Sequence, residues 1–252
     1  MDLSSFSLEG KRIAVTGANT GIGQGIAVAV ARAGGTVVGV GRSSMSETAK
    51  LVGLHGAAFV SINCDLADTR AAVAMLEKLV ADGPLDGLVN NAGIIRRADA
   101  VDFTEADWDE VMDLNLKSTF FLCQAYAKAV LAAKRQGRIV NIASLLSFQG
   151  GIRVPSYTAS KHGVLGITRL LANEWAASGI NVNAIAPGYI ISNNTEALRS
   201  DPGRSEAILA RIPAGRWGQP ADIGDAAVFL LAAASNYMHG AIIPVDGGWL
   251  AS

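Results

Sequence analysis

The chain has 252 residues, with 21 Lys and Arg against 22 Asp and Glu, so its net charge is −1; half of it is apolar, 17 % is charged and 28 residues are glycine. Such a chain is too apolar and too weakly charged to stay disordered. Its balanced charge, without a basic stripe, excludes an ordinary nucleic-acid binder, no apolar run approaches the ~20 residues of a membrane span, and Met1-Asp2-Leu3-Ser4 lacks the basic-then-apolar order of a secretion signal. A cytoplasmic address is therefore expected. Cys64 and Cys123 have no Cys or His at metal-ligand spacing, and His55, His162 and His239 form no metal set, so no metal is expected and both thiols read as small buried residues.

Short Val- and Ile-rich runs alternate with longer helical stretches. In chain order, strands are predicted at Arg12–Thr16, Thr36–Val40, Ala57–Asn63, Gly87–Asn90, Arg138–Ala143, Asn181–Ala186 and Ala241–Val245. Helices are predicted at Gly21–Ala33, Ser46–Leu54, Arg70–Ala81, Glu105–Lys134, Ser156–Ser178 and Pro220–Ala234. Strands without polar alternation belong in a parallel sheet covered on both faces, and strict strand–helix alternation gives a doubly wound α/β architecture. Residues 1–252 read as one domain. A long polar segment, about 189–216, interrupts the rhythm; such insertions are usually functional, and a substrate lid is the natural reading.

The first strand runs into Thr16-Gly17-Ala18-Asn19-Thr20-Gly21-Ile22-Gly23 and then a helix. Glycines here permit a tight turn and let backbone approach a pyrophosphate at the helix N-terminus. A Gly-rich turn without a ligand is the plainer alternative, but the loop sits at the strand edge where open α/β sheets bind ligands. The second strand ends in Gly41-Arg42 instead of the acid that bonds the adenosine ribose. Arg42 can receive a 2′-phosphate, which leans toward NADP, or it can stack on adenine or face solvent, so NAD stays open. Asp65 could accept from the adenine amino group or simply cap the next helix. Asn91-Ala92-Gly93 ends the fourth strand on the same edge.

Ser144 follows the fifth strand. Tyr157 and Lys161 lie thirteen and seventeen residues further on, near the start of a helix, and their i, i+4 spacing places them on one face. An ammonium beside a phenol, at a helix N-terminus, is expected to favour the phenolate and make the tyrosine an acid–base near neutral pH. Ser144 could hold a substrate oxygen against it.

Taken together, the Gly17-x-x-x-Gly21-x-Gly23 loop, Asn91-Ala92-Gly93, Asn115, Ser144, Tyr157-x-x-x-Lys161 and Pro187-Gly188 resemble the short-chain dehydrogenase/reductase family over essentially the whole chain. The resemblance implies a single-domain, seven-stranded Rossmann fold with helices on both faces. It implies that Tyr157 exchanges the proton, that Lys161 lowers its pKa and binds the nicotinamide ribose, and that Asn115 holds a water in the proton path. It implies that Leu66 beside Asp65, Pro187-Gly188, Ile190 and Thr195 join the cofactor set. It also implies a homotetramer built on the two long helices and the last strand.

The segments Ala92–Arg97, Leu146–Tyr157, Asn193–Thr195, Arg211–Gly218 and Val245–Leu250 resemble a branch that acts on deoxy-keto sugar acids of the 2-dehydro-3-deoxy-gluconate or 2-deoxy-gluconate type, in uronate, pectin or alginate breakdown. Gluconate 5-dehydrogenation, general carbonyl reduction and a non-catalytic dinucleotide sensor are the alternatives. The residues allow a sugar acid: Arg96, Arg97 and Arg153 could hold a carboxylate, and Leu146, Gln149 and Asn194 could line the substrate. A structural ion pair is the alternative for each arginine, with Asp99, Asp102 and Glu105 nearby in sequence. Trp217 and Trp249 read as packing or interface residues.

Overall fold

Residues 3–252 are described by the computed structural model; Met1 and Asp2, which belong to the stretch read for a secretion signal, lie outside them. The β-branched runs form β1 (Arg12–Thr16), β2 (Thr36–Gly41), β3 (Phe59–Asn63), β4 (Gly87–Asn90), β5 (Gly137–Ile142), β6 (Ile180–Pro187) and β7 (Ile242–Val245). They make one parallel sheet in the order β3-β2-β1-β4-β5-β6-β7. The order reverses at β1 and β4, which opens the crevice where such sheets take ligands. The connecting helices are α1 (Gly21–Arg32), α2 (Ser46–Gly53), α3 (Thr69–Ala81), α4 (Glu105–Met112), α5 (Thr119–Ala132), α6 (Pro155–Trp175), two short helices α7 (Glu196–Arg199) and α8 (Pro202–Leu209), and α9 (Pro220–Leu231).

Alternate residues of each strand feed the two sides of the sheet. Ile13 and Val15 of β1 pack with Ile26, Val30, Ile223 and Leu230 of α1 and α9. Ala14, between them, packs on the opposite side with Leu76, Leu122 and Tyr126 of α3 and α5. Helices thus cover both faces, as the unbroken apolar strands require. The coverage fails at one edge: in β3, Val60 is 42 % exposed, because the end strand has a single neighbour and its outer side chains have nothing to pack on. At the other edge, Pro244 of β7 is exposed, a tolerable place for a residue without an N–H. Both cysteines are buried free thiols.

The helix expected over Glu105–Lys134 is not continuous. A π-helical turn, Asp113–Ser118, separates α4 from α5. Two side chains account for it. Asn115 reaches sideways to Ile94, accepting from its N–H at 2.9 Å and donating to its C=O at 3.0 Å, while the Thr119 hydroxyl donates to the Asn115 carbonyl at 3.0 Å. A side chain competing for a helix carbonyl loosens the regular ladder at that turn.

Candidate active site

The C-terminal ends of the strands open into a cleft of about 700 Å³. On one side lies the loop from β1 to α1. Gly17 and Gly21 have φ of +66° and +55°, in the left-handed region. A Cβ on Gly23 would stand 2.1 Å from the Gly17 carbonyl oxygen, so only glycine lets the first turn of α1 close on the loop. Asn91 braces the same turn: its Nδ2 donates to the Thr16 carbonyl at 2.9 Å, while the Asn91 and Ala92 N–H groups donate to Thr16 Oγ1 at 2.9 and 3.0 Å. No side chain caps α1. Its first N–H groups therefore face the cleft as donors for an anion.

Arg42, at the end of β2, lies 3.6 Å from Asp65 with both side chains more than half exposed. Asp65 does not cap α3; Asp68 does, accepting from the Arg70 and Ala71 N–H groups. Asn19, Thr20, Ile22, Leu66, Gly93, Pro187, Gly188, Ile190 and Thr195 all line the cleft, so every residue read as cofactor-binding is on its wall. Thr195 is also engaged locally, its hydroxyl donating to the Ile190 carbonyl at 2.7 Å.

The chemical groups meet at the middle of the cleft. Ser144 ends the extended chain after β5, its Oγ accepting from the Leu146 N–H at 3.2 Å, and it shares the cleft wall with Tyr157. Ser147 fixes this corner: its Oγ donates to the Lys161 carbonyl at 2.7 Å and accepts from the Ser144 N–H at 3.2 Å. Lys161 is buried; its Nζ donates to the Ile142 carbonyl at 2.6 Å and stands 5.6 Å from the centre of the Tyr157 ring. Burial pulls the ammonium down to about 8. Burial also pushes the Tyr157 phenol above its ordinary value, against the opposing Ser144 hydrogen bond and the positive charge of Arg97. The expected drift toward phenolate is thus corrected in the free protein. Desolvation disfavours the charged form of both groups, and the lysine proton points at backbone.

Three of the expected site residues lie off the wall. Asn115 is buried behind the wall rather than on it; its side chain bridges Ile94 to Ser160 of α6. Arg96 grips Glu110 at 2.7 Å, with Asp107 at 3.6 Å, and does not line the cleft. Arg153, with φ of +63°, pairs with Asp99 at 3.0 Å outside it. Asp99 is one of the acids near in sequence; Glu110 is not. Of the three candidate arginines the cleft wall carries Arg97, whose Nη2 donates to the Asn194 carbonyl at 3.0 Å, and it adds Arg204 and Arg211 from the 189–216 segment. Among the described residues, Asp65 is the one acid on the wall. Leu146, Gln149 and Asn194 line it as expected. Ser147, Arg204 and Arg211 escaped the sequence reading. Both arginines lie in the 189–216 segment, Arg204 in α8 and Arg211 just beyond its end.

The described residues hold no group of His, Cys, Asp and Glu able to bind a metal, and no helix long and apolar enough to cross a membrane. A crevice at the sheet's switch point, a glycine cradle under an uncapped helix and a Ser–Tyr–Lys cluster define a dinucleotide-dependent oxidoreductase site. Comparison with known proteins agrees. Residues 17–250 match the family described as enoyl-(acyl carrier protein) reductase. The chain is 57 % identical over the full length of both chains to the 2-dehydro-3-deoxy-D-gluconate 5-dehydrogenase of Escherichia coli K12. It is 55 % identical to that of Bacillus subtilis 168, over 98 % of this chain and 97 % of the relative. A solved structure from Agrobacterium tumefaciens with bound NADP, a candidate 2-deoxy-D-gluconate 3-dehydrogenase, superposes with a TM-score of 0.95 at 62 % identity, covering 98 % of this chain and 99 % of that one. The protein belongs to the short-chain dehydrogenase/reductase family of NAD(P)-dependent oxidoreductases.

Proposed function

We propose that the protein interconverts a secondary alcohol and a ketone on a deoxy-keto sugar acid of the 2-dehydro-3-deoxy-D-gluconate type, with NADP as coenzyme. The carrying observation is that Ser144, Tyr157 and Lys161 share one wall of a cleft whose cations outnumber its single acid. The relatives named above support the substrate class.

The uncapped start of α1 and the Gly17, Gly21 and Gly23 cradle suit the pyrophosphate, and Arg42 suits a 2′-phosphate. The bound nicotinamide supplies or accepts the hydride. In the reductive direction, Ser144 donates a hydrogen bond to the carbonyl oxygen. Tyr157, kept protonated by burial, gives that oxygen its hydroxyl proton as hydride reaches the carbon, so a C–H and an O–H form and the C=O becomes a C–OH. Lys161 sets the field beside the phenol, and Ser147 keeps Ser144 and α6 in register. Asn115 contributes by holding the Ile94 backbone and α6 together.

We assign residues 189–216 as the lid over the substrate end; its anchors Ile208 and Ile212 pack with Leu145 and Trp249. The protein is placed in the cytoplasm as a homotetramer, in keeping with exposed Trp108 and Leu170 on α4 and α6 and the open edge at β7. Transfer of deuterium from C4-deuterated NADPH to the carbinol carbon of the sugar acid tests the reaction. Label absent from the product would refute it.

A further inference from the structure

Arg211 is an arginine fork on the cleft wall with no carboxylate or carbonyl partner among the described residues. The guanidinium lies 4.0 Å over the ring of Trp249, in a cation–π stack. Trp249 is itself 5 % exposed and held on two sides: its Nε1 donates to Gln149 Oε1 at 3.0 Å, and its ring packs against Tyr189 at 4.8 Å. The contact therefore holds the guanidinium over a rigid ring, and its N–H groups have no hydrogen-bond partner among the described residues. Three other cleft cations are committed: Arg42 to Asp65, Arg97 to the Asn194 carbonyl and Lys161 to the Ile142 carbonyl. Among the described residues Arg211 has no carboxylate or carbonyl partner, and neither has Arg204, the other arginine whose charge acts on Tyr189. A planar, preorganised donor fork at a cleft wall matches a carboxylate, and pre-orientation lowers the entropy lost on binding.

Resting on the function proposed above, we infer that Arg211, held over the Trp249 ring, is the specificity-determining group that takes the substrate carboxylate, with Arg204 as a second, looser cation. Gln149, its carbonyl oxygen used by Trp249, keeps its amide N–H groups for a sugar hydroxyl. The role passes from Arg96 and Arg153 to the 189–216 segment, so this segment supplies acid selectivity as well as cover. Trp249 is a positioning residue, acting through Arg211.

The test compares NADP-linked oxidation of 2-dehydro-3-deoxy-D-gluconate with that of its primary amide, which keeps every hydroxyl and loses the charge. Arg211→Gln is expected to raise KM for the acid about 10- to 100-fold, with kcat within about threefold, and to collapse the preference for acid over amide. Arg211→Lys recovers part of that preference, because it restores charge without the fork. Trp249→Leu gives an intermediate rise in KM. Arg96→Gln, committed to Glu110 outside the cleft, leaves KM for the acid at the wild-type value. An Arg211→Gln enzyme with wild-type KM for the acid, or with acid and amide weakened equally, overturns the assignment while leaving the reaction standing. A wild type that oxidises neither compound overturns the reaction instead. The site is then decided by calorimetry of D-gluconate on the NADP complex: binding lost in Arg211→Gln supports it, and equal binding overturns it.

Discussion

Lys161 donates to the carbonyl of Ile142 across 2.6 Å, tying the second turn of α6 to the last residue of β5. The bond keeps the ammonium in the protein interior, where its pKa falls from 10.5 to about 8. Below pH 8 both folded and unfolded chains carry that proton and the cost of burying the charge is complete. Above it the folded chain releases the proton first, so this group adds stability with rising pH until the unfolded value is reached, at up to about 1 kcal/mol per pH unit. Cys123 acts oppositely. Burial raises its thiol from 9.0 to about 12, so its contribution is complete below pH 9 and is lost above. Urea midpoints of the apoprotein are expected to rise from pH 8 to about 9, to level off while the two groups cancel, and to fall above about 10.5. Lys161→Met is expected to remove the rise and keep the fall.

Tyr157 stays protonated because burial outweighs Ser144 and Arg97. That suits a proton donor, so reduction should be fast at neutral pH, whereas the oxidative kcat/KM should climb with pH as the phenol ionises. Tyr157→Phe should lower kcat about 10²- to 10⁴-fold in both directions, with the NADPH dissociation constant within about twofold. Tight coenzyme binding together with near-wild-type turnover would remove Tyr157 from the chemistry.

Arg42 and Asp65 face each other at 3.6 Å on an exposed rim, where an ion pair alone contributes little. A 2′-phosphate would give Arg42 a better partner. Arg42→Ala is expected to lower kcat/KM for NADPH about tenfold and to leave that for NADH nearly unchanged. Equal losses with both coenzymes would mean that Arg42 serves the adenine and not the phosphate.

The glycine loop gives a pair of contrasting substitutions. Gly23→Ala forces a Cβ to 2.1 Å from the Gly17 oxygen and should abolish coenzyme binding, costing about 1–3 kcal/mol of stability. Gly53→Ala, at the end of α2 with nothing within 4 Å, should stabilise by about 0.5 kcal/mol. Thermal melts with and without NADP separate the two effects.

The local chemistry could be read from the chain. Short β-branched runs became the sheet, and the glycine spacing and Tyr157-x-x-x-Lys161 landed on one cleft, because backbone conformation and helix period are nearest-neighbour properties. What the chain hid was tertiary choice. Three acids near Arg96 and Arg153 were visible as rivals, but only packing determines that Glu110 and Asp99 take these guanidiniums out of the cleft. The π turn at Asp113–Ser118 depends on Asn115 meeting Ile94, a contact twenty-one residues away in sequence. The phenolate expected of Tyr157 failed for the same reason: spacing gives the neighbour, and burial decides the charge.

The Ser144–Tyr157–Lys161 site is proposed to transfer hydride between NADP and a sugar acid. The most direct test is a matrix of kcat/KM values for NADP and NAD against 2-dehydro-3-deoxy-D-gluconate, gluconate, a neutral sugar and a steroid alcohol. The expected maximum is NADP with the deoxy-keto acid. A maximum on the steroid, or equal rates on acids and neutral alcohols, would contradict it.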